Sequence, residues 1–397
     1  MATIMTDGTG VRQSAGWMKR VAAGTLGLAL AACSAVVPKT APPSPTAAPP
    51  PVKQTAPTGS LPEDQARNRV AVLVPLTGPN AAVGQSIGNA ANMAILDTGG
   101  ANIRITLYDT AKGAAAAASR AIAEGNRLFL GPLLAEDVVA IAPVARAAHV
   151  PIVSFSNDTS VAGNGIYLMG FSPDQSIARV VSYAKSRNLM RVAALVPSGV
   201  YGRRASTALI KAGQASGVEI ALMQNYDRSP ASLSAAVKRL GPAGSYDAVL
   251  IADSARIALQ AAPLVKKGAA SARLMGTELW NTEPGLAASK PMHGAWFASV
   301  SDSMYRQLST KYRAQFGRPP FRLASLGYDA VLLAVRIGAE WKAGAPFPEK
   351  ELRDKGGFAG VDGAFRFADD GVAERMLDVN EIRATGFAVV SPAPKGF

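Results

Sequence analysis

A single cysteine and two histidines among 397 residues set the first limits on this chain. One thiol cannot form an intrachain disulfide, so a folded body must be stabilised by apolar burial, which the 48% hydrophobic content permits. With His149 and His293 as the only imidazoles, metal ligation by histidine and cysteine is nearly excluded by count, and a catalytic triad is barely available. No Walker loop occurs, and no Gly-x-Gly-x-x-Gly joins a strand to a helix, so these phosphate cradles are missing and no cofactor is implied. The apolar stretch Val21 to Leu30 is too short to span a bilayer, which needs about 20 residues. One nucleophile pattern is present, Gly84-Gln85-Ser86-Ile87-Gly88. A nucleophile elbow needs a strand ending immediately before the serine, whereas here a polar loop precedes it and Ser86 falls inside a predicted helix. A hydrolase whose turnover depends on Ser86 is thus the weakest reading of the chain.

What is present begins at that lone cysteine. Met18-Lys19-Arg20 is a basic start, Val21 to Leu30 a short apolar core, and Leu30-Ala31-Ala32-Cys33 a run of small residues ending in the thiol. This is the pattern of a secretory signal, residues 1–32. Met18 is the expected translation start, because Met1 to Trp17 is long for a basic leader and contains Asp7. The four residues ending at Cys33 resemble the lipobox of bacterial lipoproteins. That resemblance implies a diacylated cysteine that becomes the first residue of the mature chain. Ser34, in place of aspartate, implies sorting to the outer membrane, lipid-anchored and facing the periplasm. Stable anchoring needs lipid chains in combination, each buried methylene contributing about 0.8 kcal/mol. The competing readings are an ordinary signal peptide with an incidental cysteine, or a buried core cysteine. Residues 33–67 continue as a tether: Pro38 to Pro62 holds nine of the 27 prolines, mixed with Ala, Thr and Ser. No periodic apolar face exists there to offset the entropy of ordering, so the segment reads as a semi-rigid spacer of about 3.1 Å per residue where polyproline II forms.

Residues 68–390 read as an α/β body. Val70 to Leu76 is a continuous apolar run with β-branched residues, hence a buried strand, and Val83 to Leu96 has helical spacing. The alternation continues through Ile166 to Phe171, then restarts with a helix at Ile177 to Ser186 and a strand at Arg191 to Val196. Strands separated by helices of 10–15 residues imply right-handed βαβ units and parallel sheets. Two successive series imply two Rossmann-like lobes. Lobe one is expected at about 68–171 plus part of 301–345, and lobe two at about 172–300 plus part of 346–390. Long helices at Met304 to Phe316 and Leu323 to Ala343, then strands at Gly363 to Phe367 and near Thr385 to Val390, revisit both lobes and imply a hinge of several crossings.

Five motifs carry a family resemblance. Val72-Leu73-Val74-Pro75-Leu76-Thr77-Gly78-Pro79 with Ala82-Val83-Gly84, then Leu130-Gly131-Pro132-Leu133, Val150 to Asn157, Tyr201-Gly202 and Gly360 to Phe367 follow one another in order. Together they resemble the leucine/isoleucine/valine-binding proteins of the type I periplasmic binding fold. The Ser154-Phe155-Ser156-Asn157-Asp158 run, the lipobox and the tether resemble the subgroup of penicillin-binding protein activators. In open α/β sheets ligands bind beyond the carboxyl ends of the strands. The cleft candidates are therefore Thr77, Gly78, Glu136, Asp137, Ser154, Ser156, Asn157, Tyr201, Asp253 and Glu278. Amino-acid receptors of the family hold a substrate carboxylate at the helix start after Gly131, where Glu136 and Asp137 would repel it; plain capping of the first helical turn is the alternative. The aromatic wall expected near Val83 is missing. The resemblance places Tyr201 at the family's cleft tyrosine and Glu278 where a carboxylate grips the substrate ammonium. A free α-amino acid is a poor fit, and a cationic or amino-bearing ligand, or none, a better one.

The formal charge is +13, and removing residues 1–32 takes away three basic residues and one acidic one. Export removes nucleic acid as a partner. Attraction to anionic envelope polymers or to an acidic protein face competes with plain solubility. The leading expectation is a lipoprotein that regulates peptidoglycan synthesis by binding a peptidoglycan synthase of the penicillin-binding class, without chemistry of its own. The alternative is a ligand-binding lipoprotein, with a small amino-bearing or amide ligand in the inter-lobe cleft, serving an ABC importer or sensor.

Overall fold

The computed structural model describes residues 67–100, 102–281, 283–394 and 396–397. The expected signal segment, Cys33 and the proline-rich stretch lie outside these residues. The described chain opens with β1 (Asn68–Val74), α1 (Ala81–Thr98), β2 (Ile103–Asp109), α2 (Ala114–Ala123), β3 (Leu128–Leu130), α3 (Ala135–Ala147), β4 (Ile152–Ser154) and β5 (Ile166–Leu168). These five strands form a parallel sheet in the order β2-β1-β3-β4-β5. A second series follows: α4 (Pro173–Ser186), β6 (Arg191–Pro197), α5 (Val200–Ser216), β7 (Glu219–Tyr226), α6 (Pro230–Lys238), β8 (Ala248–Ile251), α7 (Ala255–Gly268), β9 (Arg273–Gly276) and β10 (Trp296–Ser299). Its parallel strands run β7-β6-β8-β9-β10, the same winding as the first sheet.

Burial on both faces explains the apolar strands. In β1, Val70, Val72 and Val74 face a core built with α1, while Ala71 and Leu73 face one built with α2 and α3. In β6, Val192, Ala194 and Val196 pack with α4 and α5, while Ala193 and Leu195 pack against α6 and α7. Alternation across the strand feeds both layers, which is the requirement of a doubly wound sheet.

The last part of the chain returns to each lobe in turn. It comprises α8 (Ser303–Phe316), α9 (Ala324–Gly338), β11 (Phe358–Gly360), β12 (Gly363–Phe367), β13 (Ala373–Arg375), β14 (Asp378–Arg383) and β15 (Gly386–Ser391). Helix α9 and the antiparallel ribbon β11-β12-β13 join the first lobe, where Leu326, Ala330, Phe358, Phe365 and Phe367 share a core with Val70 and Val72. Strands β14 and β15 extend the second sheet antiparallel to β10. The return to the second lobe comes at about residue 378, inside the stretch 346–390 expected to contribute to it, while the first lobe extends past 345 because the β11-β12-β13 ribbon packs on its core. The sequence expectation of two strands after residue 346 becomes five, because β11 and β13 are only three residues long and β14, Asp-Val-Asn-Glu-Ile-Arg, is largely polar. Strands β9 and β10 are likewise short runs that the periodicity does not resolve. Three crossings link the lobes, at 169–173, 299–303 and 375–378. Among the described residues, no helix is long and apolar enough to cross a membrane.

One device recurs in both lobes. A Cβ on Gly84 would lie 1.9 Å from the carbonyl oxygen of Pro75, and one on Gly202 would lie 1.6 Å from that of Pro197. Each glycine lets the helix after the lobe's first strand press against the loop leaving that strand, at the edge of the cleft. We expect Gly202→Ala to destabilise the domain by about 1–3 kcal/mol through backbone overlap. Gly268→Ala, into open space at the end of α7, should be neutral or slightly stabilising. Urea midpoints at unchanged slope check both.

Candidate functional site

The strand order reverses between β1 and β3 in the first lobe and between β6 and β8 in the second, so the crevice opens at the carboxyl ends of these strands. Each candidate sits at or beside such an end, but most of their polar atoms already have partners within the chain. The Thr77 hydroxyl donates to Asp109 Oδ2 at 2.7 Å, and Asp109 Oδ1 accepts from the Leu76 amide at 2.8 Å. Burial alone would raise the Asp109 pKa; the Thr77 hydroxyl and the backbone amides outweigh it and hold the carboxyl below its ordinary value. Gly78, in the same loop, has φ +74° and open space around it. Ser154 is fully buried, donating to the Pro132 carbonyl at 2.8 Å and accepting from the Ser156 amide at 3.0 Å. Ser156 Oγ accepts from the Asp158 amide at 3.1 Å. Glu136 and Asp137 occupy the first turn of α3, whose N-cap Leu134 offers no side-chain acceptor. Burial, with the neighbouring Glu136 charge, raises the Asp137 pKa.

In the second lobe the structure brings Tyr201 and Glu278 together. The Tyr201 hydroxyl donates to Glu278 Oε1 at 2.9 Å and lies 2.9 Å from Thr277 Oγ1. Ser176 Oγ donates to Glu278 Oε2 at 2.5 Å. Both carboxylate oxygens therefore accept from hydroxyls of the same lobe. Burial raises the Glu278 pKa despite these donors, and burial together with the Glu278 charge raises that of Tyr201. Asp253 is almost wholly buried: Oδ2 accepts from the Tyr226 hydroxyl at 2.7 Å and Arg228 Nε at 2.8 Å, and Oδ1 accepts from the Ser254 amide. It is a structural carboxylate beneath the cleft.

The cleft is crossed by a contact that lies outside the candidates drawn from the sequence. Arg204, on α5 of the second lobe, forms an ion pair with Asp158, and its Nη1 donates to the Asn157 carbonyl at 3.4 Å. Asp158 and Asn157 follow β4 of the first lobe, so this contact joins lobe to lobe. Asp158 also accepts from the Ser160 hydroxyl at 2.6 Å. No motif marks this pair, because its partners lie 46 positions apart and meet only when both sheets are built.

Beside the crossings sits a second missed constellation. Arg322 Nη2 lies 2.7 Å from Asp362 Oδ1 and 3.7 Å from Asp302 Oδ1. Its guanidinium carbon stands 4.0 Å from the centre of the Tyr305 ring and 5.4 Å from that of Phe171. Arg375 donates to the Met169 carbonyl at 2.8 Å and lies 5.1 Å from the ring centre of Phe171. Asp329 accepts from the Val361 amide at 2.7 Å. Burial, then the Asp362 charge, pushes the Asp329 pKa up to about 7, against the opposing pull of Arg375. Ser86, meanwhile, is buried within α1 and accepts from the Phe321 amide at 3.0 Å, a structural bond unlike that of a strand-end nucleophile.

Sheet order, cleft and crossings define a two-lobed binding protein, and comparison with known proteins agrees. The periplasmic binding protein family model matches residues 68–386, and the chain belongs to that family. An uncharacterized protein of Rickettsia prowazekii is 24% identical over 180 residues, 45% of this chain; the match spans about half the length, 48%, of that relative. Among solved structures, a putative branched-chain amino acid ABC transporter protein from Rhodospirillum rubrum superposes with a TM-score of 0.71 at 18% identity, covering 82% of this chain and 100% of its own. The C-domain of LpoA from Haemophilus influenzae, a regulator of PBP1A, gives 0.64 at 18% identity, covering 81% and 100%. At these identities the likeness establishes the fold, the type I periplasmic binding arrangement of two α/β lobes.

The pH dependence of stability tests the charged cluster. With a folded pKa raised to about 7 from an ordinary 3.8, Asp329 keeps its proton only in the folded chain between those values. Its contribution is complete below the lower value and is lost as pH rises through the upper one. Asp329→Asn should therefore flatten the fall in melting temperature between about pH 5 and 8, measured by scanning calorimetry against the unsubstituted protein. An unchanged difference between the two pH values would place the titration elsewhere.

Proposed function

We propose that this protein is an outer-membrane lipoprotein, anchored through acylated Cys33 and facing the periplasm. In this reading its two-lobed domain docks on a penicillin-binding protein and regulates peptidoglycan synthesis without chemistry of its own. The observation that carries the reading is the state of the cleft. The carboxylate positioned to take a ligand ammonium, Glu278, is engaged by Tyr201 and Ser176, and the Asp158–Arg204 pair spans the lobes. A receptor that trades ligands would have to displace these bonds with each cycle, and a buried donor left unpaired costs about 1–3 kcal/mol. A module that binds through its surface incurs no such cost. Likeness of fold to the LpoA C-domain supports the same reading, as do the lipobox and the proline-rich spacer in the sequence.

The receptor reading has its own support in the fold of the Rhodospirillum rubrum protein and in the retained Tyr201 and Glu278. Two measurements separate them. Immobilised domain should recover a penicillin-binding protein from detergent-solubilised envelopes and change its transglycosylase rate. Absence of both effects would overturn the docking role. Calorimetry against amino acids, amides and polyamines should show no micromolar binding; a micromolar ligand weakened by Glu278→Gln would establish the receptor instead.

A further inference from the structure

A groove lies between α8 and the second lobe, away from the candidate ligand residues. It encloses about 770 Å³. One wall is a helical stripe, Arg306, Ser309, Thr310 and Arg313, at the i, i+3, i+4, i+7 spacing that puts side chains on one face. Tyr305, Leu308 and Tyr312 hold α8 to the first lobe by packing with Met93 and Val361, and Tyr305 also lines the groove. The other wall is apolar and belongs to the second lobe: Pro284, Ala287, Ala288, Ala384 and Phe387. Phe387 is fixed there by an edge-to-face contact with Phe297, 5.1 Å between ring centres.

The charge of the groove selects its occupant. Arg306 and Arg313 are both exposed, and neither has an ion pair among the described residues. The groove's carboxylate, Asp302, lies 3.7 Å from Arg322, whose nearer partner is Asp362 at 2.7 Å, so the charged cluster answers part of its charge. Two exposed guanidiniums opposite an apolar wall, neither in an ion pair and Arg306 acting on Asp302 only at longer range, complement a segment that alternates carboxylates with apolar side chains. An extended strand presents such faces at a period of two. From Asp302 to Arg313 the helix rises about 16 Å, at 1.5 Å per residue, which accommodates about five extended residues at 3.3 Å each.

We propose that the α8 groove docks an acidic, extended segment of a partner protein. The assignment deepens the docking role above and rests on it for the identity of the partner. Because one wall comes from each lobe, and Asp302 belongs both to the groove and to the charged cluster at the crossings, the occupant reads the lobes in one relative arrangement.

The test uses the whole soluble domain and a fluorescein-labelled peptide of about eight residues alternating Glu and Val, with a Lys–Val peptide as its counterpart. Anisotropy should show saturable binding of the acidic peptide alone, weakened at high salt and at least about tenfold by Arg306→Glu/Arg313→Glu. Arg203→Glu, an exposed arginine on α5, should leave it unchanged. Thermal melts confirm that each variant folds. No binding of the acidic peptide, equal binding of both peptides, or equal weakening by Arg203→Glu would overturn the proposal. Peptide binding that persists when no synthase is recovered from envelopes would remove the synthase as partner and leave the groove assignment standing.

Discussion

The arrangement of the lobes depends on one cluster of buried charge. Arg322 and Arg375 face Asp302, Asp329 and Asp362 beside the three crossings, and Phe171 on the first crossing lies near both guanidiniums. A buried ion pair adds little stability over an apolar replacement, but removing one partner from it costs about 3–5 kcal/mol. Such a cluster is better understood as a specificity device than as a source of stability. It ties segments at residues 169–171, 302, 322, 362 and 375 into one spatial unit, so that none can shift without leaving a charge unanswered. Three carboxylates against two guanidiniums leave an excess of one negative charge; burial, then the Asp362 charge, raises the Asp329 pKa, and burial raises that of Asp302.

That constraint gives the cleft its character. The two lobes are wound alike, and each uses a glycine at the same place, Gly84 and Gly202, to bring a helix against the loop leaving its first strand. The symmetry ends at the side chains. The first lobe closes its loop with the Thr77–Asp109 bond and the Ser154–Pro132 bond, while the second collects Ser176, Tyr201, Thr277 and Glu278 around one carboxylate. Each set satisfies itself, and the Asp158–Arg204 pair joins them. The polar groups that would greet a ligand are largely matched to one another.

Legibility in the sequence followed the range of the interaction. Strands β1, β2 and β6 and helices α1, α4 and α5 announce themselves because burial on one or two faces imposes a local period. The two-lobed plan follows from repeating that alternation, and the cleft follows from where parallel strands end. Tyr201 and Glu278 could be paired by family resemblance, and the structure sets them 2.9 Å apart. What escaped was everything that depends on distant partners: Arg204 with Asp158, Ser176 with Glu278, and Arg322 with Asp362. Of the ribbon β11-β12-β13 only the middle strand, Gly363 to Phe367, was legible, and the rest escaped for a different reason. Its strands are short, and its aromatic residues complete the core of a lobe built nearly 300 positions earlier, so no window of sequence contains the cause of its shape.

Asp302 joins these levels. It follows β10 on the second crossing, lies 3.7 Å from Arg322 in the charged cluster, and lines the groove beside α8. In a receptor of this fold, signal passes from the cleft to the outside through the relative position of the lobes. Here the cleft residues are engaged by the chain itself, whereas the groove's guanidiniums, Arg306 and Arg313, are free of ion pairs among the described residues. The physical asymmetry is that the polar groups of the cleft are largely paired, while Arg306 and Arg313 stand exposed without ion pairs among the described residues. Desolvating paired groups to admit a ligand costs more than covering unpaired, exposed cations with a complementary partner. On that ground the outer surface, more than the cleft, is where this member of the family has binding free energy to gain.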